Sequence, residues 1–183
     1  MGSAAIAVFG SSEPVPGDSA YRQACRLGTE LALAGHVVLT GGYGGVMEAA
    51  SRGAKEAGGA TVGITCSLFA HRDPNPWVDE AIFTPNLHER TRELIDRAGG
   101  FVVLPGKAGT LAELSFLWAL HRADTLGLRP VVLLGSPWPG LLQYLSDGGL
   151  LDPREVSMAH LASSPKQAVG LLRQVHSGDT TRR

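Results

Sequence analysis

The segment Leu104-Pro105-Gly106-Lys107-Ala108-Gly109-Thr110-Leu111-Ala112-Glu113 joins a strand end, a glycine loop and a helix start that carries one carboxylate. Glycine at 106 and 109 lets backbone N–H groups come close to an anion, and a helix beginning at Thr110 or Leu111 points its positive dipole end the same way. Glu113 falls one turn away. A phosphate held by Gly106, Gly109 and Thr110, with Lys107 beside it and a carboxylate slightly deeper, suits chemistry on a nucleotide or sugar phosphate. The same stretch, Thr110-Leu111-Ala112-Glu113, also spells a capping box, which serves only to satisfy the orphan N–H groups of a helix start. Taken alone, the segment admits both readings.

Two more glycine loops follow apolar runs. Residues 36–40 lead into Gly41-Gly42-Tyr43-Gly44-Gly45-Val46-Met47-Glu48, and residues 4–9 lead into Gly10-Ser11-Ser12. Each is a strand, a small-residue loop and then a helical pattern. If the strands are parallel neighbours, the three loops converge on one crevice, with Gly10, Ser11, Gly41, Gly42, Gly45 and Met47 along it. None of the loops matches the dinucleotide fingerprint well, and no lysine stands in a Walker frame, which disfavours a dehydrogenase or a P-loop NTPase.

These residues need a frame. β-like runs at residues 4–9, 36–40, 61–65, 80–84, 100–104 and 130–134 alternate with helical patterns at 19–34, 46–57, 87–98, 111–122 and 165–175. This predicts one α/β domain over residues 1–176, a mainly parallel sheet with helices on both faces, followed by a flexible tail at 177–183. Within 87–98 the apolar spacing leaves Arg90 beside the core stripe, where an arginine is ordinarily a solvated partner for Glu93. Residues 66–79, with Pro74, Pro76 and Trp77, read as a lid-like loop. Trp77 could stack on a base or merely anchor that loop. Glu48 could cap its own helix, the commoner role, or bind a ribose hydroxyl. The helix at 111–122 is apolar nearly all round and must be buried on two sides, against the sheet and either a second subunit or a segment such as 139–145.

The run from His88-Glu89-Arg90 through residues 100–104 to Pro105-Gly106-x-x-Gly109-Thr110-x-x-Glu113 resembles the LONELY GUY (LOG) family of cytokinin riboside 5′-monophosphate phosphoribohydrolases. That family pairs an arginine with the glutamate that ends P-G-G-x-G-T-x-x-E. Arg90 and Glu113 match those two positions, and the loop at 41–47 is similar to the family's G-G-G-x-x-G-L-M-G. The resemblance covers roughly residues 4–176. It implies a Rossmann-like homodimer, paired through the 111–122 helix, that hydrolyses the N-glycosidic bond of a nucleoside 5′-monophosphate to free base and ribose 5-phosphate. The alternative within the same fold is a non-catalytic nucleotide or molybdenum-cofactor carrier. Four positions depart from the motifs: Thr40, Glu48, Thr91 and Lys107. Losing a cation at 91 and gaining one at 107 is either a relocated phosphate contact or a changed substrate. The label "lysine decarboxylase" carried by related sequences does not fit, because Lys55, Lys107 and Lys166 lack the context of a pyridoxal phosphate Schiff base.

Such a reaction puts positive charge on the sugar, so Glu113 is the candidate to stabilise it and to orient water. Arg90 could fix that carboxylate bidentately or hold ribose and phosphate, and as a permanent cation it is a poor proton donor. The acid for the leaving base is unassigned. With 183 residues, 44% of them hydrophobic, and a net charge of −1, the chain should build one core and offers no field for nucleic acid. Scattered histidines and the isolated Cys25 and Cys66 suggest no metal site, no cofactor and a reducing, cytoplasmic setting without a membrane span.

Overall fold

In the computed structural model, which describes residues 4–69 and 73–176, seven strands form one parallel sheet. They are β1 (Ala5–Phe9), β2 (Val37–Thr40), β3 (Thr61–Cys66), β4 (Glu80–Thr84), β5 (Gly100–Val103), β6 (Val131–Leu134) and β7 (Ala159–Ala162). Their spatial order is β4-β3-β2-β1-β5-β6-β7, with every neighbouring pair parallel. The chain thus winds outward from β1 to β4, then crosses back to β5 on the other side of β1. Connections that leave β1 and β5 in opposite directions open a crevice at the carboxyl ends of those strands.

β5 and β6 are buried at every position, and β1 at all but its first. Strands covered on both faces must read as continuous apolar runs. Side-chain alternation sorts them: Ile6 and Val8 join a core with α1 (Ser19–Leu33), α2 (Val46–Glu56) and α7 (Pro165–His176). Ala7 and Phe9 join the opposite core with α3 (Leu87–Arg97), α4 (Ala108–Arg122), α5 (Pro137–Asp147) and α6 (Pro153–Met158). α1 and α2 meet backbone to backbone, since a Cβ at Gly28 would lie 2.0 Å from the Ala50 carbonyl oxygen and one at Gly53 would lie 1.8 Å from that of Cys25.

The six expected strands all form, 80–84 with its expected bounds and the other five trimmed or extended by a residue. β7, α5 and α6 were not legible beforehand. Ala159-His160-Leu161-Ala162 carries little β-branched signal, and its pairing with β6 supplies what local preference lacks. In α5, Pro137 and Pro139 look like loop residues, yet both stand in the first turn, where the missing N–H groups have no intrahelical partner anyway. α4 begins at Ala108, earlier than expected, with Lys107 at its N-cap and no side-chain cap. Of its apolar residues, Leu114, Leu117 and Trp118 pack inward. Leu111 and Phe116 remain 41% and 47% exposed, so α5 does not cover them. The tail expected at 177–183 lies outside the described residues. Among the described residues no helix is long and apolar enough to cross a membrane.

Candidate active site

The loops that follow β1, β2 and β5 meet at a cleft of about 260 Å³ at the carboxyl ends of the strands. The first is pinned to its neighbours: the Ser11 N–H donates to the Pro105 carbonyl (3.2 Å), and the Ser11 carbonyl accepts from the Val46 N–H (2.8 Å). The β1 and β5 loops and the start of α2 are therefore one rigid rim.

The cleft brings together most of the residues singled out from sequence. Gly10, Ser11, Gly41 and Met47 line one side; Lys107, Gly109 and Thr110 form the end of the phosphate-type loop; Arg90 and Glu113 both face the space. Gly42, Gly45 and Gly106 stand behind the lining and shape it. At Gly45, φ is 72° and a Cβ would lie 2.4 Å from the Ser11 carbonyl oxygen, so the turn into α2 tolerates only glycine. At Gly106 a Cβ would lie 2.1 Å from Thr110 Oγ1, which brings the loop flush against the first turn of α4.

Arg90 is not a solvated flank residue. It is buried, 9% exposed, on α3, whose N-cap Asn86 accepts from the Glu89 N–H through its side chain (2.9 Å). Nε donates to the Ile64 carbonyl (2.8 Å) and Nη2 to the Gly41 carbonyl (3.0 Å), while the guanidinium lies 5.7 Å from the centre of the Tyr43 ring. The guanidinium needs glycine beside it: a Cβ at position 41 would sit 1.6 Å from Nη2. Glu93 pairs instead with Arg97 at 2.6 Å.

Glu113 is in the second turn of α4 and takes no part in capping, so the capping-box reading of 110–113 does not hold. A capping box does form elsewhere, between Asp152 and Glu155 at the start of α6. The Glu113 side chain keeps an opening to the cleft, but the protein surrounds its carboxyl. Burial pushes its pKa up from the ordinary 4.5 to about 7, and the nearby positive charge of Arg90 offsets part of that rise. Arg90 acts on Glu113 by charge alone, its Nε and Nη2 donors being spent on backbone carbonyls, so the bidentate pairing left open by sequence is not formed.

Two further expectations, for Glu48 and for the 66–79 segment, are corrected, and Trp77 takes its anchoring role. Glu48 neither caps α2 nor faces the cleft; its carboxylate accepts from the Tyr21 hydroxyl at 2.9 Å. Trp77 lies under the Arg52 guanidinium, 5.4 Å from the ring centre and away from the cleft, so it anchors its segment and offers no stacking surface there. Within the lid-like segment 66–79, residues 70–72 lie outside the described residues. The described part is tied down, since Asn75 is buried and its Nδ2 donates to the carbonyls of Gly42 (3.1 Å) and Tyr43 (2.9 Å).

Seven residues of the lining were missed: Val8, Phe9, Ser12, Glu13, Tyr43, Phe69 and Leu87. Tyr43 was the findable one, an aromatic set among four glycines. Its hydroxyl accepts from the Cys66 N–H (2.9 Å) and donates to the Cys66 carbonyl (3.2 Å), and its ring meets Phe69 edge-on at 5.4 Å. Among the described residues no three His, Cys, Asp or Glu side chains stand close enough to share a metal ion.

Residues 3–137 match the profile of the SLOG cluster4 family. The cytokinin riboside 5′-monophosphate phosphoribohydrolase of Mycobacterium tuberculosis is 33% identical over 157 residues, which are 83% of this chain and 81% of that protein. The pyrimidine/purine nucleotide 5′-monophosphate nucleosidase of Escherichia coli is 30% identical over 128 residues, 64% of this chain but only 28% of that protein. Among solved structures, the molybdenum cofactor binding protein of Rippkaea orientalis superposes with a TM-score of 0.78 at 29% identity, covering 96% of this chain and 99% of that one.

Proposed function

The chain belongs to the SLOG cluster4 family and, with it, to the LOG phosphoribohydrolases, and on that premise we propose that it hydrolyses the N-glycosidic bond of a nucleoside 5′-monophosphate. Water adds to C1′ of the ribose and the base leaves with a proton, giving free base and ribose 5-phosphate. One observation carries this reading: a half-buried carboxyl, Glu113, opens to the same cleft as a glycine loop that abuts a helix N-terminus, with Arg90 facing the same space.

Each group has a job that its setting supports. The first turn of α4 leaves N–H groups without intrahelical partners, and with Gly106, Gly109, Thr110 and Lys107 it holds the 5′-phosphate. The ribose then lies deeper, over Glu113. Ionised, Glu113 stabilises the oxocarbenium-like transition state and orients water; the low polarity that raises its pKa also strengthens its attraction for that cation. Arg90 keeps Glu113 from rising further and leaves guanidinium edge for a ribose hydroxyl. Tyr43, Phe69 and Leu87 provide apolar surface for the base. The protein works as a homodimer in the reducing cytoplasm, burying Leu111 and Phe116 between subunits and keeping Cys25 and Cys66 as free thiols. A cytokinin riboside monophosphate and AMP are the first substrates to try.

The experiment is incubation of the pure protein with a panel of nucleoside 5′-monophosphates, reading released base, with Glu113→Gln as the control. Base release by the wild type, lost in Glu113→Gln, is the expected result. The likeness to the Rippkaea protein favours one second reading, a carrier of a nucleotide or of molybdenum cofactor. A carrier binds its ligand and releases no base from any of the panel.

A further inference from the structure

We propose that Glu13 is a charge gate that restricts the cleft to 5′-monophosphates and turns away di- and triphosphates; this rests on the nucleotide reading above. Glu13 lies in the loop after β1, two residues beyond Ser11, whose backbone bonds fix the rim and whose Oγ accepts from the Glu13 N–H at 3.2 Å. Its carboxylate lines the cleft and sits 2.5 Å from Lys107 Nζ, at the N-cap of α4. An acidic side chain is thus held at the one lysine of the phosphate-type loop, where the substrate's own anion would bind.

The two side chains are 75% (Lys107) and 62% (Glu13) exposed, and ion pairs of that kind are weak and readily parted. An arriving phosphate takes Lys107 and leaves Glu13 unpaired beside it. Because Glu113 stands further along α4 than Lys107, the sugar occupies the inner end of the cleft and the phosphate the outer end, with Glu13 at the rim. A single phosphoryl group meets Glu13 once. A second or third would extend outward, toward that carboxylate, adding like-charge repulsion. Glu13 therefore weakens every anion somewhat and the more highly charged ones most.

The test is calorimetric titration with 5′-AMP and with 5′-ADP of the wild-type, Glu13→Gln and Glu13→Lys sequences, each also carrying Glu113→Gln so that no nucleotide is hydrolysed, folding being checked by circular dichroism; base release from AMP is read in the same three sequences without Glu113→Gln. The ratio of the ADP to the AMP dissociation constant should fall by about fivefold in Glu13→Gln, the scale of a partly screened charge pair at an exposed site, and further in Glu13→Lys. With Glu13 in place the ratio should also shrink at 1 M salt, where the screening length is about 3 Å. A fall of threefold or more that grows with the charge change supports the gate; a smaller or ungraded change overturns it. Loss of the gate with AMP still cleaved would leave the hydrolase reading intact. A fall in the ratio in a protein that releases no base would overturn the hydrolase and keep the gate. A protein that binds neither nucleotide overturns both.

Discussion

Replacing Glu113 with glutamine should make the protein more stable as well as inactive, and the gain should depend on pH in a prescribed way. The folded protein holds the Glu113 carboxyl at a pKa of about 7, against 4.5 in the unfolded chain. Below about pH 4.5 the group is protonated in both states and contributes nothing. Between 4.5 and 7 the folded state keeps its proton while the unfolded state gives it up, so stability falls as pH rises. Above 7 the loss is complete. At 1.36 kcal/mol per pH unit it amounts to about 3 kcal/mol, an order-of-magnitude figure. Glutamine keeps the shape of the protonated acid and removes the titration. Urea denaturation of both proteins from pH 5 to pH 8.5 should show their stability difference widening by about 3 kcal/mol in favour of Glu113→Gln, with equal m-values. The same titration requires kcat/KM of the wild type to rise through pH 7 and level off above it. A stability difference that is flat across this range would mean that the carboxyl is not desolvated, and the account of Glu113 would fall with it.

Other consequences follow from the same geometry. Gly41→Ala should lower kcat/KM by about 100-fold with the fold retained, because a Cβ 1.6 Å from Arg90 Nη2 must displace the guanidinium and small misplacements are costly at a reacting centre; steady-state kinetics on the folded variant is the check. Nucleoside 5′-monophosphates should be cleaved about 10- to 100-fold more efficiently than the free nucleosides, as contacts to a charged phosphate contribute about 1.5–3 kcal/mol; equal kcat/KM values would show that the loop is not a phosphate site. Phe116→Glu, on the exposed face of α4, should halve the mass seen by light scattering, whereas a wild type already monomeric and active at micromolar concentration would end the dimer proposal.

The glycine loops and their strands could be read directly from the chain, because each is a local pattern: an apolar run, then residues without side chains, then a helical period. Three such loops sufficed to foresee one crevice, and the resemblance of their motifs to those of the LOG family is what paired Arg90 with Glu113. The chemical state of those two residues was not local. Arg90 looked like a surface side chain by helical spacing, and it became a buried one because its hydrogen-bond acceptors, Ile64 in β3 and Gly41 in the loop after β2, come from elements 26 and 49 positions away. Glu113 looked like half of a capping box, and it acquired its raised pKa only when α4 began at Ala108 and set it a turn deeper. Glu13 and Lys107 are 94 residues apart and meet because the sheet order places β1 beside β5. Composition and spacing determine which groups are present and which elements carry them. Desolvation and charge pairing depend on what the other elements bring within a few ångströms, and that was decided by the order of the strands.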